Sequence, residues 1–156
     1  MMSDLHGRHK VSLDRNGRLA IPAQFRMALP EDQQNAIILT RGFDPCITGY
    51  SVDSWEEFES LFYESDMTQK QFDVFEREFI GRKHNSPFDK QGRVTLPPHL
   101  FEFAQLKNIN EVIVIGTKNR IEIWNPELYK EFRPDQEDVI EEMRTKLKPS
   151  RKKSDS

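Results

Sequence analysis

The chain contains two closely similar nine-residue segments, with identical Asp, Gly, Arg and Pro, and this repeat constrains its fold more than any other feature of the sequence. Residues 14–22 are Asp-Arg-Asn-Gly-Arg-Leu-Ala-Ile-Pro, and residues 89–97, which lie 75 positions later, are Asp-Lys-Gln-Gly-Arg-Val-Thr-Leu-Pro. The similarity continues downstream, where residues 37–39 match residues 112–114. Such self-similarity indicates a tandem duplication of a unit of about 50 residues.

Each copy of the repeat predicts a strand, a tight turn and a second strand, followed by a short helix. Apolar residues alternate with polar ones before the turn, at Val11 and Leu13, and after it, at Leu19 and Ile21, which is the period of a β-strand. Asp at the first turn position and Gly at the fourth favour a type I turn closed by a residue with positive φ. We therefore expect a hairpin around each turn. A second strand pair is predicted in each copy, at residues 37–40 and 47–52 and at residues 112–115 and 120–124.

The segments outside the strand pairs are predicted to be helical, except for the last one. Between the copies, Trp55, Phe58, Phe72 and Phe75 lie at helical spacings, which predicts two amphipathic helices separated by Met67-Thr68. Residues 148–156 have no apolar side chain to bury and are predicted to form a disordered basic tail. The expected organisation is a first unit at 8–54, a helical connector at 55–82, a second unit at 83–126, C-terminal helices at 127–147 (a short one near 126–132 and another over 134–147) and the tail at 148–156.

The distribution of charge points to a polyanionic partner, although the net charge is −3. Residues 1–30 carry five Lys or Arg against two Asp or Glu, and residues 81–108 also carry five against two. Residues 31–80, by contrast, carry three basic against twelve acidic residues. Because polyanion binding depends on the local field rather than on the total charge, the two basic segments around the repeats are candidates for it.

Composition excludes several classes of protein. A single cysteine, Cys46, excludes an internal disulfide framework and a Cys-rich zinc site. The longest uninterrupted run of β-branched apolar residues, 112–115, is far shorter than the roughly 20 residues of a membrane helix. We therefore expect an intracellular, cytoplasmic protein that contacts no membrane and needs no metal or other cofactor.

The repeated segments resemble the paired Asp-x-x-x-Arg motifs of the MraZ family, which comprises bacterial DNA-binding regulators of the division and cell-wall gene cluster. The resemblance is carried by residues 14–18 with Ile21-Pro22 and by residues 89–93 with Leu96-Pro97, and it extends over about residues 5 to 132. The first unit keeps the Phe25-Arg26 pair, whereas the second has Phe101 at the position where the family often has an arginine.

The resemblance implies both a fold and a function. The implied fold is α+β, with two tandem SpoVT-AbrB-like swapped-hairpin β units that form an intrachain pseudo-dimer, together with amphipathic connecting and C-terminal helices. The implied function is that of a sequence-specific transcriptional regulator, a repressor of its own division and cell-wall operon. Such a protein binds repeated operator boxes in double-stranded DNA as a homo-oligomeric ring, associates with the nucleoid and has no small-molecule substrate.

The candidate DNA-binding residues lie at and around the two turns. An arginine at each turn, Arg18 or Arg93, suits a guanine edge or a phosphate, because its guanidinium makes bidentate contacts that a lysine ammonium cannot make. Asp14 and Asp89 are expected to hold these arginines or to cap the turns through backbone N–H groups. The remaining cations predicted to contact DNA are Arg15, Lys90, Lys10 and Arg8, with Arg26 and Lys83 as further phosphate contacts; Gly17 and Gly92 are the structural glycines of the motif.

The same residues are compatible with three other interpretations. An isolated Asp-x-x-Gly-Arg segment is typical of a hairpin turn with a surface ion pair and no function. An acid–base pair of Asp14 and Asp89 is disfavoured, because neighbouring arginines keep both carboxylates ionised and no nucleophile or phosphate-binding glycine loop accompanies them; we do not expect an enzyme. The alternative that stays open is an AbrB-type antitoxin-like protein that binds a protein partner as well as DNA.

Overall fold

The computed structural model describes residues 5–148 and consists of eight strands and five α-helices within that range. The strands are β1 (Leu5–Ser12), β2 (Arg18–Ala20), β3 (Ala36–Arg41), β4 (Ile47–Tyr50), β5 (His84–Pro87), β6 (Arg93–Thr95), β7 (Glu111–Lys118) and β8 (Ile121–Trp124). The helices are α1 (Ala23–Met27), α2 (Val52–Glu64), α3 (Gln69–Phe75), α4 (Pro98–Phe103) and α5 (Pro126–Lys146), with a 3₁₀ turn at Glu31–Gln33 and a π-helical segment at Glu76–Ile80. The mixed α+β class predicted from the sequence is confirmed.

The strands of the two copies are interleaved in one antiparallel six-stranded sheet of order β1-β7-β8-β4-β3-β5. The first strand of each copy pairs with the third strand of the other, β1 with β7 and β5 with β3. Equivalent residues of the two copies pair with each other at two points, Leu19 with Val94 and Thr48 with Glu122. A pseudo-two-fold axis therefore passes through both pairs and relates the copies as a swapped pseudo-dimer.

The hairpin predicted around each turn is not formed, and this part of the sequence interpretation is wrong. In the first copy, β1 and β2 share only the isolated bridge between Leu13 and Leu19. Instead β2 pairs with β6, so that the two-stranded ribbon contains one strand from each copy. The reason is burial: Leu19 and Val94 face each other in the ribbon and are each only 1% exposed, so pairing across the copies seals both side chains into a shared core.

The main core lies between the sheet and the elements that follow each turn. It includes Leu19 and Val94 of the ribbon, Phe25 of α1 and Leu100 of α4, packed with sheet residues such as Ile37. The next residue of β3, Ile38, contributes to a second cluster with Tyr50, Trp55, Phe75 and Phe79. Successive side chains of a strand point to opposite faces of the sheet, so the connector helices cover the face that the main core leaves open.

The connector contains two helices at the predicted place, although α2 begins at Val52 rather than at residue 55. Ser51 caps α2, its hydroxyl accepting the backbone N–H of Ser54 at 3.1 Å. Thr68 and Gln71 form a capping box at the start of α3. The break between the helices thus falls at Met67-Thr68, as the sequence predicts, because Thr68 is a strong N-terminal cap.

The chain divides into two compact units, one ending at Pro126 and the other beginning at Glu127. The second unit contains all but the first residue of α5, a single helix with Pro134 inside it, whereas the sequence predicts two helices. Proline removes one backbone hydrogen bond from a helix interior, but helix-forming residues such as Glu, Gln and Lys on both sides continue the helix past it. Most of the predicted basic tail, residues 149–156, lies outside the described residues. Within residues 5–148, no helix combines the length and the apolarity needed to cross a bilayer.

Candidate nucleic-acid interface

The two repeated turns have the same backbone hydrogen bonds. In the first turn the N–H of Gly17 donates to the carbonyl of Asp14 at 3.1 Å, and in the second the N–H of Gly92 donates to the carbonyl of Asp89 at 3.0 Å. Gly17 and Gly92 have φ values of 75° and 76°, and both are buried. The predicted turn chemistry is confirmed, since side chains rarely adopt this left-handed conformation and glycine adopts it without strain.

Each turn aspartate binds the turn backbone and the turn arginine at once. The Oδ1 atom of Asp14 accepts the backbone N–H groups of Asn16 and Arg18, both at 2.9 Å, and its Oδ2 atom accepts Nε of Arg18 at 2.8 Å. In the second turn, Asp89 accepts the corresponding three bonds at 2.8, 2.9 and 2.8 Å. Both functions considered for these carboxylates, capping the turn and holding the arginine, are therefore performed together.

The hydrogen bonds also fix the charge state of the aspartates. The backbone N–H of Arg18 is the main cause that lowers the pKa of Asp14 below its ordinary value, with a further contribution from the Arg18 side chain. The N–H of Arg93 lowers the pKa of Asp89 in the same way. Both carboxylates are consequently ionised at neutral pH and keep accepting bonds from their arginines.

The ribbon presents one arginine from each copy on its outer face. Arg18 is paired with Thr95, and Arg93 is paired with Ala20. These four residues alternate with Leu19 and Val94, which point into the core. Arg18 and Arg93 are thus diagonal neighbours on one face, about 7–8 Å apart. Their side chains are 37% and 32% exposed, and within residues 5–148 only the Nε group of each guanidinium has a recorded partner.

Backbone bonds connect each turn to the other copy. The N–H of Ile21 donates to the carbonyl of Gly92 at 3.1 Å, and the N–H of Leu96 donates to the carbonyl of Gly17 at 2.8 Å. The pairing of the ribbon therefore continues to the glycine of each turn. Because of this connection, the position of each arginine depends on residues of both copies.

The other candidate cations occupy three different places. Lys10 lines a groove of about 580 Å³ together with Arg18 and Arg93, next to His9 and Asp14. Arg15 lies in the first turn and Lys90 in the second, and both are exposed. Arg8 is exposed on β1, two residues before Lys10. The structure thus brings Lys10, Arg18 and Arg93 together in one groove, which Arg8, Arg15 and Lys90 do not line. Lys83 lies away from them, with its ammonium 5.3 Å from the centre of the Trp55 ring.

The side chains that support the turns are not evident from the sequence. A Cβ built on Gly92 would lie 2.6 Å from Nε of Arg26, which belongs to α1 of the first copy. A Cβ built on Gly17 would lie 3.7 Å from the ring of Phe101, which belongs to α4 of the second copy. Arg26 and Phe101 are 75 positions apart, so the repeat offset alone identifies them as equivalent. That each of them contacts the turn of the other copy follows only from the swapped pairing of the strands.

Comparison with known proteins identifies the same duplication. A family model described as "MraZ protein, putative antitoxin-like" matches the chain twice, over residues 5–78 and residues 79–148. Each match contains one of the two turns, and together the matches span all of the described residues.

Proposed function

The chain belongs to the MraZ family, and on this premise we propose that it is a transcriptional regulator that binds specific DNA sequences with the β2–β6 ribbon and its two turns. We propose further that it represses its own division and cell-wall operon in the cytoplasm, at the nucleoid. The observation that carries the proposal is the outer face of the ribbon, where Arg18 and Arg93 lie side by side, each held by an ionised aspartate.

The dimensions and chemistry of the ribbon suit the major groove of DNA. A two-stranded antiparallel ribbon fits into this groove, and arginine is the side chain that most often contacts guanine there, through its O6 and N7 atoms. Because Nε of Arg18 is bound by Asp14, the guanidinium plane is oriented before any ligand arrives. Its two terminal amino groups then remain for the base edge, and Arg93 is equivalent in the other copy.

The surrounding cations supply affinity without sequence information. Arg15 and Lys90 on the turns, with Arg8 and Lys10 on β1, are suited to contact the phosphates on either side of the groove. One chain neutralises few phosphates. We therefore propose that a homo-oligomeric ring places several ribbons on evenly spaced operator boxes, which raises the effective concentration of each ribbon.

The test measures binding of the purified protein to the DNA upstream of its own gene by fluorescence anisotropy. Arg18→Ala should abolish specific binding, Arg93→Ala should weaken it to an equal or smaller extent, and Lys70→Ala, on the connector, should leave it unchanged. Circular dichroism and oligomer mass should stay the same in all variants. Wild-type binding should fall steeply with salt, because several phosphates are neutralised together. Undiminished binding by the double variant Arg18→Ala, Arg93→Ala would refute the proposed interface.

A second candidate function is supported by the description of the matching family as antitoxin-like. In this alternative the chain binds a protein partner as well as DNA. Affinity purification of the wild type and of the double arginine variant from its own organism distinguishes the two functions. A stoichiometric protein partner retained by both would favour the antitoxin-like function.

A further inference from the structure

We propose that the second turn holds a DNA phosphate in a composite site, to which Arg26 of the first copy contributes its guanidinium, and that the first turn has no equivalent site. The inference rests on the proposed function and refines it. In this proposal the two turns have different roles. Both present an arginine to the DNA bases, and the second also binds the DNA backbone through a phosphate.

Arg26 is held beside the second turn by contacts on two sides. Its Nε donates to the carbonyl of Ile21 at 3.1 Å, and Ile21 directly follows the ribbon strand β2 of the same copy. Its guanidinium packs directly against Gly92, since a Cβ on this glycine would lie 2.6 Å from both Nε and Cζ. The side chain is half-buried, and among residues 5–148 its only hydrogen bond is the one that Nε donates. It therefore has donors available at a fixed position.

The space beside Arg26 is a polar recess of about 340 Å³. Lys90 lines it from the turn, and Gln34 and Asn35 line it from the segment before β3. The amide of Gln34 is already used, because its Nε2 donates to the carbonyl of Leu29 at 2.9 Å. The recess thus offers two cations and the exposed amide of Asn35, a set of donors that suits a phosphate dianion or diester.

The one acidic residue in the recess is neutralised from within the turn. Asp89 also lines the recess, and an isolated carboxylate there would repel a phosphate. Its Oδ2 atom, however, accepts Nε of Arg93 at 2.8 Å, and its Oδ1 atom accepts two backbone N–H groups. With Arg93 paired to Asp89, Arg26 and Lys90 leave the recess with an excess of positive charge.

The first turn lacks this site because Phe101 stands where Arg26 stands at the second. The Phe101 ring lies 3.7 Å from the Cβ position of Gly17 and contributes no hydrogen-bond donor. The cations at the first turn are Arg15 and Arg18, of which Arg18 belongs to the outer face of the ribbon. The side chain that packs on the turn glycine is therefore a cation from the other copy at the second turn and an uncharged ring at the first.

The test compares the salt dependence of DNA binding in variants of the full-length protein. Arg26→Gln and Arg26→Met both remove the charge, and the methionine keeps an aliphatic stem against Gly92. Lys70→Gln, an exposed residue of α3, is the matched control for the loss of one charge. The probe is the duplex from upstream of its own gene, with a scrambled duplex of the same length beside it. Circular dichroism and thermal melting establish which variants fold.

If Arg26 contacts a phosphate, two results are expected that would not be expected if its role were purely structural. Each contact contributes about 0.9 to the slope of log K against log salt, so one contact is weakened about 3.5-fold between 50 and 200 mM salt. The affinity ratio of wild type to an Arg26 variant should therefore shrink about 3.5-fold over that range for each contacting turn. The loss should be equal on the specific and scrambled duplexes, because a phosphate carries no sequence information. Arg26→Lys should restore the slope.

The outcomes separate this inference from the function on which it rests. If the wild type does not bind the upstream duplex, the proposed function fails. If the wild type binds and the ribbon arginines are required, but folded Arg26 variants keep the wild-type slope as Lys70→Gln does, only the composite site is refuted. A loss confined to the specific duplex also contradicts it, because Arg26 would then contact bases.

Discussion

The two turns have the same backbone and the same hydrogen bonds, but they rest on chemically different side chains. The bonds of Asp14 and Asp89 agree to within 0.1 Å, and the two arginines are held in the same way. Beneath the turns, Phe101 packs on Gly17 and Arg26 packs on Gly92. The comparison shows that the two copies share the groups that orient each arginine, whereas the groups that support each turn differ.

The largest effect is expected where the two copies meet, at Leu19 and Val94. Each is 1% exposed and each lies opposite the other in the ribbon. Leu19→Ala should lower the free energy of unfolding by about 2–5 kcal/mol, since it leaves a cavity in the shared core. Val94→Ala removes fewer carbon atoms and should cost less. Urea denaturation of both variants measures the difference, and a loss below about 1 kcal/mol for Leu19→Ala would contradict burial of the ribbon.

The next effect sharpens the difference between the turns, through Gly17→Ala and Gly92→Ala. Both glycines have positive φ, which costs another residue about 1–2 kcal/mol. This loss corresponds to a drop of about 2–8 °C in Tm for a protein of this size. Gly92→Ala should cost more, because its methyl group would displace Arg26, whereas the space at Gly17 accepts a methyl group. Equal melting temperatures for the two variants would mean that the support beneath the turns is equivalent.

The smallest effect concerns what the turns share, the ionisation of their aspartates. The pKa values of Asp14 and Asp89 are both lowered in the folded protein, with the backbone N–H of the turn arginine as the main cause. Since an unfolded aspartate has a pKa of about 3.9, the stabilisation is fully present above that pH and is lost as pH falls through the lower folded values. Carboxyl ¹³C titration should give two similar midpoints below 3.9. A midpoint above 3.9 in either turn would show that its hydrogen bonds are absent in solution.

The local chemistry of the turns was predictable from the sequence because it depends on neighbouring residues alone. Asp at the first position and Gly at the fourth specify a turn wherever they occur between strands, and the structure has both turns as predicted. The helices of the connector were predictable for the same reason, through apolar spacing and the Thr68 cap. The MraZ resemblance then supplied the swapped pseudo-dimer, which the residue pattern alone does not specify.

The residue pattern alone could not predict the pairing partners of the strands, because two similar patterns are compatible with several pairings. The apolar residues on either side of the turn, such as Leu13 and Leu19, have the spacing that a hairpin requires. The strand β2 nevertheless pairs with β6, because this pairing buries Leu19 against Val94, and such a non-local contact cannot be read from neighbouring residues. The position of Arg26 at the turn of the other copy depends on this pairing. Pro134 shows that a local signal can also mislead. Proline usually ends a helix, and the sequence therefore predicts a break there, yet Pro134 lies within α5.

The exchange of first strands between the copies has a consequence for how the protein behaves on dilution. If the two copies were separate chains, the six-stranded sheet would exist only above the dissociation constant of a homodimer. Here the connector joins them covalently, so closure of the sheet is a unimolecular event and the ribbon is present at any protein concentration. Lowering the amount of protein in a cell therefore leaves the ribbon intact, and each chain retains its complete pair of arginines.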